Sequence, residues 1–386
     1  MRLVALPQDR QVRRIAVQAL AVCVFATAAW YFASNAEENL RNQGIAYGLS
    51  FLGSEAGFAI GESWIAYSAR SSYARALVVG LLNTLYVSIA AILLTTILGT
   101  LIGVARVSRY WLLAKASFVY VELFRNIPIL LQVFFWSAMT RRLPPPREAI
   151  LWGDGFVLSN HGFVHPVPTY DPAYRWIGLA TIVGLIAAWL VIRWSRHVRD
   201  RTGTAPRVHW VAAVLVVGCP LVTWIGYGAP LTWDVPYLKG FDFVGGTTHS
   251  PEFMAILIAL VAYTSAFAAE IVRSGIESVD RGQFDAARSL GLKEPTILIR
   301  IVLPQALRVI VPPMTTQYLN LLKDSSLGVA IGYPELVNIT NTSINQTGQA
   351  IELILVMMSV YLFLSILIST ITNLFNRANM RKGQGR

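Results

Sequence analysis

The most informative segment of this chain reads DAARSLGLKEPTILIRIVLP, residues 285–304. It is polar and basic, yet it lies between two segments that are apolar enough to cross a bilayer. Asp280 followed by Gln283 is a capping-box pattern, which predicts that a helix begins at Arg281. Gly291 stands where a helix ends in a left-handed residue. The sequence therefore predicts a capped helix of about ten residues that a membrane protein presents to a soluble partner.

The composition places the chain in a membrane. Of its 386 residues, 55% are hydrophobic and 14% are charged, whereas a soluble domain carries about 25% charged residues. Apolar runs of about 20 residues are long enough to cross the hydrocarbon core of a bilayer. The sequence predicts an all-α integral membrane protein with about eight spans, at roughly 14–33, 77–105, 115–139, 176–194, 210–228, 252–273, 306–331 and 350–375.

The distribution of lysine and arginine predicts the orientation. With the N-terminus inside, the cytoplasmic segments hold 22 of the 32 Lys and Arg, the external segments hold eight, and Arg125 and Lys323 lie inside spans. Positive residues accumulate on the cytoplasmic side of membrane proteins. We therefore expect both termini in the cytoplasm. The net charge of +11 then reports topology and not a nucleic-acid partner.

The first apolar run could be an anchor or a cleaved signal. It ends near Ala33–Ala36, which faintly resembles a signal-peptidase site. The run is longer than the roughly 7–15 residues of a signal-peptide core. We therefore expect residues 1–76 to hold an uncleaved N-terminal anchor helix and an external segment, with an interfacial helix around Phe51 to Tyr67.

Composition also divides the remaining chain. Residues 77–375 are predicted to form the transmembrane domain, whose core comprises 77–139 and 251–375. Residues 140–250 are an insertion with a proline-rich external loop, two additional spans and a basic linker. Residues 376–386 are predicted to be a basic cytoplasmic tail.

Four segments together resemble one family. They read GLLNTL at 80–85, VELFRNIP at 121–128, the stretch at 285–304 already quoted, and LLKDSSL at 321–327. These segments resemble the polar amino-acid subfamily of ATP-binding-cassette (ABC) importer permeases, and the long inserted form is similar to general L-amino-acid permeases. The resemblance covers the two core segments and implies a type I ABC importer permease fold. Asn and Ile at 126–127 depart from the Gly-Thr of the family pattern.

The resemblance also implies how the chain is driven. Permeases of this family dock on a separate ATPase through a loop with the pattern Glu-Ala-Ala…Gly…Ile-x-Leu-Pro. In this chain, aspartate replaces the leading glutamate. The alanines would let the helix enter a narrow cleft. An ordinary solvated loop helix is the alternative interpretation. The coupling residues implied are Asp285, Ala286, Ala287, Gly291, Ile301, Leu303 and Pro304.

The implied partners follow from the same resemblance. They are a second permease subunit, two copies of an ABC ATPase, a periplasmic or extracellular amino-acid-binding protein, and the lipid of a bacterial inner (plasma) membrane. The sequence contains no Gly-x-x-x-x-Gly-Lys-Ser/Thr loop to cradle the phosphates of ATP. We therefore expect a transporter subunit without an enzyme site or cofactor, with ATP and Mg on the partner ATPase.

Charges at membrane depth are candidates for substrate binding, because each costs ~2.5–3.5 kcal/mol to insert. Asn320, Lys323 and Asp324 share one helix face through their i, i+3, i+4 spacing. Asp324 could bind the ammonium of an amino acid and Lys323 its carboxylate, with Asn320 and Ser325 as hydrogen-bonding neighbours. The alternative is that both charges pair with other helices and only hold the bundle together.

Other polar residues are weaker candidates. Glu270 and Glu352 lie near the ends of their spans and could also contact substrate. Glu122 and Arg125 are expected to pair along one helix, which should kink or restart at Pro128.

Two readings compete with an importer subunit. A stand-alone, ion-coupled secondary amino-acid transporter usually shows inverted halves with broken helices, and the sequence shows no such symmetry. A metal site or a membrane enzyme would need a cluster of ligands or catalytic groups. His161 and His165, with Asp154 and Asp171, lack the spacing of metal ligands, so no metal is expected.

Overall fold

The computed structural model describes residues 10–42, 48–153, 155–203, 208–229 and 231–381, and they are mostly helical, as predicted. The helices are α1 (Arg10–Asn42), α2 (Tyr73–Arg106), α3 (Trp111–Asn126), α4 (Ile129–Arg141), α5 (Ala173–Thr202), α6 (His209–Gly226), α7 (Pro251–Glu277), α8 (Arg281–Ser289), α9 (Glu294–Ile297), α10 (Leu303–Asp324), α11 (Leu336–Thr347) and α12 (Ala350–Arg381). Shorter helical turns lie at Ser50–Gly53, Pro146–Glu148, Leu298–Val302 and Ser325–Ile331.

The described chain also contains short strands, which the all-helical prediction did not include. They are β1 (Ile150–Trp152), β2 (Phe156–Ser159), β3 (Gly162–His165), β4 (Val167–Pro168), β5 (Trp233–Asp234), β6 (Tyr237–Lys239), β7 (Asp242–Val244) and β8 (Thr247–His249). One antiparallel sheet has the order β1-β2-β3-β8, while β4 pairs with β5 and β6 with β7. The register of the sheet places Val157 opposite Val164 and Phe163 opposite His249.

The contacts divide the chain into two compact units. One unit comprises the chain up to Met139 together with the chain from Glu252 onward, and the other is Thr140–Pro251. The first unit contains α2, α7, α10 and the coupling stretch. The second contains the strands and the hairpin of α5 and α6. Asp154, Arg207 and residues 382–386 of the predicted tail lie outside the described residues.

The described part has six helices long and apolar enough to cross a membrane, or up to seven if one bent pair is a single span. A shorter apolar helix, Trp210–Gly226, corresponds to the fifth predicted span. The multi-pass character is therefore present, while the number eight and the positions of the termini stay predictions.

The predicted span 115–139 is not one straight helix. It is the pair α3 and α4, bent by 103°. Ile127 has an extended backbone (φ −100°, ψ 124°) because a residue before proline avoids the helical region, and Pro128 follows it. The Gln132 amide donates to the carbonyls of Phe124 and Ile127, both at 2.9 Å, which satisfies acceptors that the break leaves free. The predicted restart at Pro128 is therefore confirmed.

Helices α2 and α7 pack closely within the first unit. A Cβ on Gly99 would lie 2.5 Å from the Cβ of Ala268, and one on Gly103 would lie 2.7 Å from the carbonyl oxygen of Ala269. Small residues spaced by four let helices approach at this distance. The Gly-x-x-x-Gly of α2 therefore serves packing inside this chain.

The segment before α2, which the sequence predicts to be external, is not the interfacial helix expected around Phe51 to Tyr67. Only Ser50–Gly53 forms a helical turn, and Phe51 is buried there. Gly57 has a positive φ of 75°, a conformation that ends a helix. Its N–H donates to the carbonyl of Ala69 at 2.9 Å, so the chain returns on itself instead.

Candidate functional site

Helix α8 carries the two caps that the sequence predicts. The Asp280 carboxylate accepts from the N–H of Gly282 at 2.7 Å, one residue earlier than a capping box would place the bond. Gly291 has a φ of +70°. Its N–H donates to Arg288 O at 2.9 Å, and the N–H of Leu292 donates to Ala287 O at 3.2 Å. These two bonds form a Schellman ending, so α8 is a short helix with both ends closed.

The two predicted contact alanines of α8 face opposite ways. Ala287 is 2% exposed and belongs to an apolar cluster with Ile297 and Val302. Ala286 is exposed, as is Asp285, whose side chain is 74% exposed. Ala287 therefore attaches the helix to its own chain, and the exposed surface of α8 is the one that carries Asp285 and Ala286.

Exposed ion pairs join α8 to its surroundings. The Arg288 guanidinium donates to Glu294 at 2.9 Å and lies 3.6 Å from the Asp285 carboxylate. Arg109, in the loop after α2, lies 3.5 Å from the same Glu294. Exposed pairs contribute about 0–1 kcal/mol each, so this network orients α8 more than it stabilises the fold.

The rest of the predicted coupling stretch leads directly into α10. Leu298–Val302 forms a π-helical turn that continues directly into α10, and Pro304, which has no N–H to donate, lies at the start of α10. Ile301 is half-buried, whereas Leu303 and Pro304 are exposed. A continuous helical segment therefore runs from Glu294 into α10, and residues 290–293 connect it to α8.

Both weaker substrate candidates already have partners in the protein. Glu270 accepts from Arg106 of α2 and from Arg273, and Arg273 also pairs with Glu277. Glu352 accepts from the N–H of Gly48 at 2.8 Å. These contacts assign Glu270 to the junction of α2 and α7, close to the start of α8.

The predicted Glu122–Arg125 pair is not formed. Glu122 instead accepts from the Asn126 amide at 3.3 Å. The Arg125 guanidinium lies 5.1 Å from the centroid of the Phe267 ring, within the range of a cation–π contact.

Three of the four predicted substrate residues line one pocket of about 300 Å³ between α7 and α10. Ser325 does not. It is fully buried, and its hydroxyl donates to the carbonyl of Leu322 at 2.7 Å. The lining residues are Tyr263, Thr264 and Phe267 from α7 and Gln317, Asn320, Lys323 and Asp324 from α10.

The two charges of the pocket have no ion partner. Across the described ranges, neither Lys323 nor Asp324 makes a salt bridge or a side-chain hydrogen bond. Uncompensated charges are costly in a membrane span. The pocket therefore contains one positive and one negative side chain that lack a salt-bridge partner among the described residues.

The sequence matches the family model described as "Binding-protein-dependent transport system inner membrane component" over residues 95–382. The chain belongs to this family. It is thus a permease subunit of an ABC importer, which is a component of a transporter.

Curated relatives extend over nearly the whole permease. It is 45% identical to the General L-amino acid transport system permease protein AapQ of Rhizobium johnstonii, covering 95% of this chain and 92% of that protein. It is 47% identical to the Putative amino-acid ABC transporter permease protein YhdX of Escherichia coli, covering 92% and 91%. It is 37% identical to the Glutamate/glutamine/aspartate/asparagine transport system permease protein BztB of Rhodobacter capsulatus, covering 98% and 96%.

The permease uses the polar pair of its GLLNTL segment to hold the chain that follows the pocket. The Asn83 amide donates to the carbonyls of Glu62 and Pro334, both at 2.9 Å. The Thr84 hydroxyl accepts from the N–H of Leu336 at 3.1 Å. These bonds fix the start of α11 against α2.

Sequence reasoning missed Glu335, which caps α11. Its carboxylate accepts from the N–H groups of Val337 and Asn338, both at 2.8 Å, and from the Tyr361 hydroxyl at 3.3 Å. Glu335 is 0% exposed, and burial raises its pKa to about 7, while the two N–H donors oppose that rise. An acidic residue two positions after Gly-Tyr and just before an apolar-periodic run is an N-cap signal that could have revealed it.

Two contacts involve histidines of the described part of the insertion. His165 and His249 contact each other through their Nε2 atoms at 3.2 Å, and His161 lies 3.4 Å from Asp242. No group of three or more potential metal ligands occurs among the residues the structure describes.

Proposed function

We propose that this permease forms the path by which amino acids cross a bacterial inner membrane, driven by a separate ATPase that docks on residues 281–304. The observation that carries the substrate class is the pair Lys323 and Asp324, two opposite charges without an ion partner in one pocket. The names of the relatives, all amino-acid permeases, support the same class.

An amino acid matches this pocket through its two charged groups. Asp324 would bind the ammonium and Lys323 the carboxylate, because charge-assisted hydrogen bonds are stronger than neutral ones. Asn320 and Gln317 supply neutral hydrogen-bonding groups beside them, and Tyr263 and Phe267 supply aromatic surface. The volume of about 300 Å³ admits one small ligand. Ser325 does not line the pocket and has no role in this binding mode.

We further propose that the exposed side of α8 enters a cleft of the ATPase. Its surface is formed by small or short side chains, namely Gly282, Asp285, Ala286 and Ser289, and all four are exposed. Leu290, 78% exposed at the end of the helix, supplies an apolar contact. The remaining members of the coupling set, Ala287, Gly291, Ile301, Leu303 and Pro304, shape the segment and connect it to α10.

The proposed assembly contains a second permease subunit, two copies of the ATPase, and an external amino-acid-binding protein. ATP and Mg would bind to the ATPase and not to this chain. We propose the same domain organisation as the sequence suggests: an anchor and external segment at 1–76, a core at 77–139 and 251–375, the insertion 140–250, and the tail 376–386.

The energy source provides the test of class. Uptake of radiolabelled amino acids by reconstituted vesicles should continue when proton and sodium gradients are collapsed, and it should stop when internal ATP is removed. Uptake that instead follows the gradients would support the stand-alone secondary transporter.

The coupling role is tested at Gly291. Its φ of +70° costs a β-branched residue more than it costs asparagine, which tolerates the left-handed region. Space is not the constraint, because no atom lies within 4 Å of a Cβ built there. We expect Gly291→Val to weaken copurification of the ATPase by about five- to thirty-fold, the equivalent of a left-handed strain of roughly 1–2 kcal/mol.

Gly291→Asn is the matched control and should retain the ATPase. Equal copurification by wild type and Gly291→Val, at equal permease levels in the membrane, would reject the docking role. That result would leave the amino-acid pocket untouched.

A further inference from the structure

The α5–α6 hairpin contains a groove that the importer mechanism does not use. Its two helices approach closely at Gly184, where a Cβ would lie 2.6 Å from the carbonyl oxygen of Leu215. Beside that contact lies an apolar groove of about 490 Å³. It is lined by Leu185, Ala188, Trp189 and Ile192 of α5, which face Ala212 and Ala213 of α6.

The groove lies at membrane depth. Trp176 and Trp194, both exposed on α5, are eighteen residues apart, which is about 27 Å along a helix and close to the roughly 30 Å of a hydrocarbon core. Tryptophan favours the two interfaces of a membrane. Of the stretch between these two tryptophans, the groove residues of α5 occupy the half nearer to Trp194. Trp189 is 56% exposed, so the groove is open to its surroundings.

The end of the groove near Trp194 is basic. The Arg193 guanidinium lies 5.2 Å from the ring centroid of Trp189, which is itself part of the groove wall. Arg199 follows Ile192 by seven residues, which places it on the same face of α5. Arg201 follows Ile192 by nine residues, which is two and a half turns, and it therefore lies on the opposite face of α5. The positive charge that continues the groove is thus separable from positive charge elsewhere at this helix end.

We propose that this groove binds an acyl chain of an anionic phospholipid from the cytoplasmic leaflet, with the lipid phosphate held by Arg193 and Arg199. An apolar groove inside the bilayer selects a hydrocarbon chain, and a basic cluster at its interfacial end selects a negative headgroup. The positive-inside distribution places this end at the cytoplasmic surface. The two additional spans then give the permease a lipid contact that the pocket and the coupling stretch do not provide.

Native mass spectrometry of the purified full-length permease, titrated with phosphatidylglycerol or phosphatidylcholine in a neutral detergent, measures this directly. Wild type should bind phosphatidylglycerol in preference to phosphatidylcholine. The double variant Arg193→Gln/Arg199→Gln should bind phosphatidylglycerol about thirty-fold more weakly, since each arginine near a lipid surface contributes a similar factor of about five. Arg201→Gln, the matched control, should bind as wild type does.

A second variant tests the acyl-chain part. Ala213 is exposed on the groove wall, so Ala213→Phe fills the groove without entering a packed core, and it should weaken binding while both arginines remain. Three results would overturn the proposal: no preference for phosphatidylglycerol in wild type, an equal loss in Arg201→Gln, or full binding by Ala213→Phe. The last would mean that a protein segment, and not a lipid chain, covers the groove.

Discussion

Asp324 and Glu335 lie on either side of the helical turn Ser325–Ile331, yet their carboxylates differ in burial and in hydrogen bonding. Glu335 is 0% exposed and receives three hydrogen bonds, two from N–H groups and one from the Tyr361 hydroxyl. Asp324 is half-buried and faces the pocket between α7 and α10. It has no such donors within the described ranges.

The difference separates a structural acid from one available to a ligand. Donors supplied by the protein reduce the cost of burying Glu335, so its side chain can serve as a helix cap. A carboxylate without donors keeps its capacity to bind something else. Satisfied hydrogen bonds, more than position in the sequence, therefore indicate which acidic residue is committed to the fold and which can still accept hydrogen bonds.

The largest expected effect concerns the pH dependence of stability set by Glu335. Its pKa is raised from 4.5 to about 7 in the folded protein. In that interval the folded state binds more protons than the unfolded state, so stability is full below pH 4.5 and falls as the pH rises to about 7. The loss could reach about 3 kcal/mol. Glu335→Gln should remove this part of the dependence, measured as thermal unfolding midpoints between pH 5 and pH 8.

The matched control is Glu148→Gln, which alters an exposed glutamate. Its unfolding midpoints should follow the wild-type pH profile. If Glu335→Gln keeps the wild-type profile as well, Glu335 is not the titrating cap, and the contrast with Asp324 loses its basis.

The second effect is at the substrate pocket. Asp324→Asn keeps the shape of the side chain but removes the charge that would face an ammonium group. A hydrogen bond to a charged group contributes about 1.5–3 kcal/mol, so amino-acid affinity should fall by roughly ten- to a hundred-fold. Equilibrium binding of radiolabelled amino acids to the purified permease–ATPase complex, without the external binding protein, measures this affinity.

Ser325→Ala provides the control, because Ser325 is adjacent in sequence but absent from the pocket lining. It should leave affinity unchanged. Basal ATP hydrolysis and assembly of the complex should survive Asp324→Asn. If assembly fails instead, Asp324 pairs with a neighbouring subunit, and the structural interpretation of this charge is correct.

The sequence predicted those features that depend on local chemistry. The caps at Asp280 and Gly291 and the restart at Pro128 follow from backbone preferences that a few neighbouring residues determine. The shared face of Asn320, Lys323 and Asp324 follows from helical periodicity. The coupling and substrate roles of these residues stay predictions, since the geometry supplies surfaces and a pocket but no partner or ligand.

Features that depend on tertiary contacts were not predictable in the same way. Ala286 and Ala287 are identical in type, and only packing against Ile297 and Val302 determines that Ala287 faces inward. Ser325 follows Asp324 directly, but adjacent helical residues point in different directions. The short strands between Ile150 and His249 lie in loops rich in proline and glycine. These loops lack the sustained alternation of polar and apolar residues that predicts a strand.

The smallest expected effect concerns charges that are exposed and paired. Arg288 contacts Glu294 and Asp285, and all three side chains are accessible to solvent. Such pairs contribute about 0–1 kcal/mol, so Arg288→Gln should weaken ATPase copurification by less than about five-fold. The loss should shrink at high salt, which screens exposed charges.

Arg281→Gln removes a like charge from the same helix and is the control, since Arg281 makes no ion pair within the described ranges. If Arg288→Gln abolishes copurification at every salt concentration, Arg288 contacts the ATPase itself, and an exposed paired charge would then carry as much function as the unpaired Asp324.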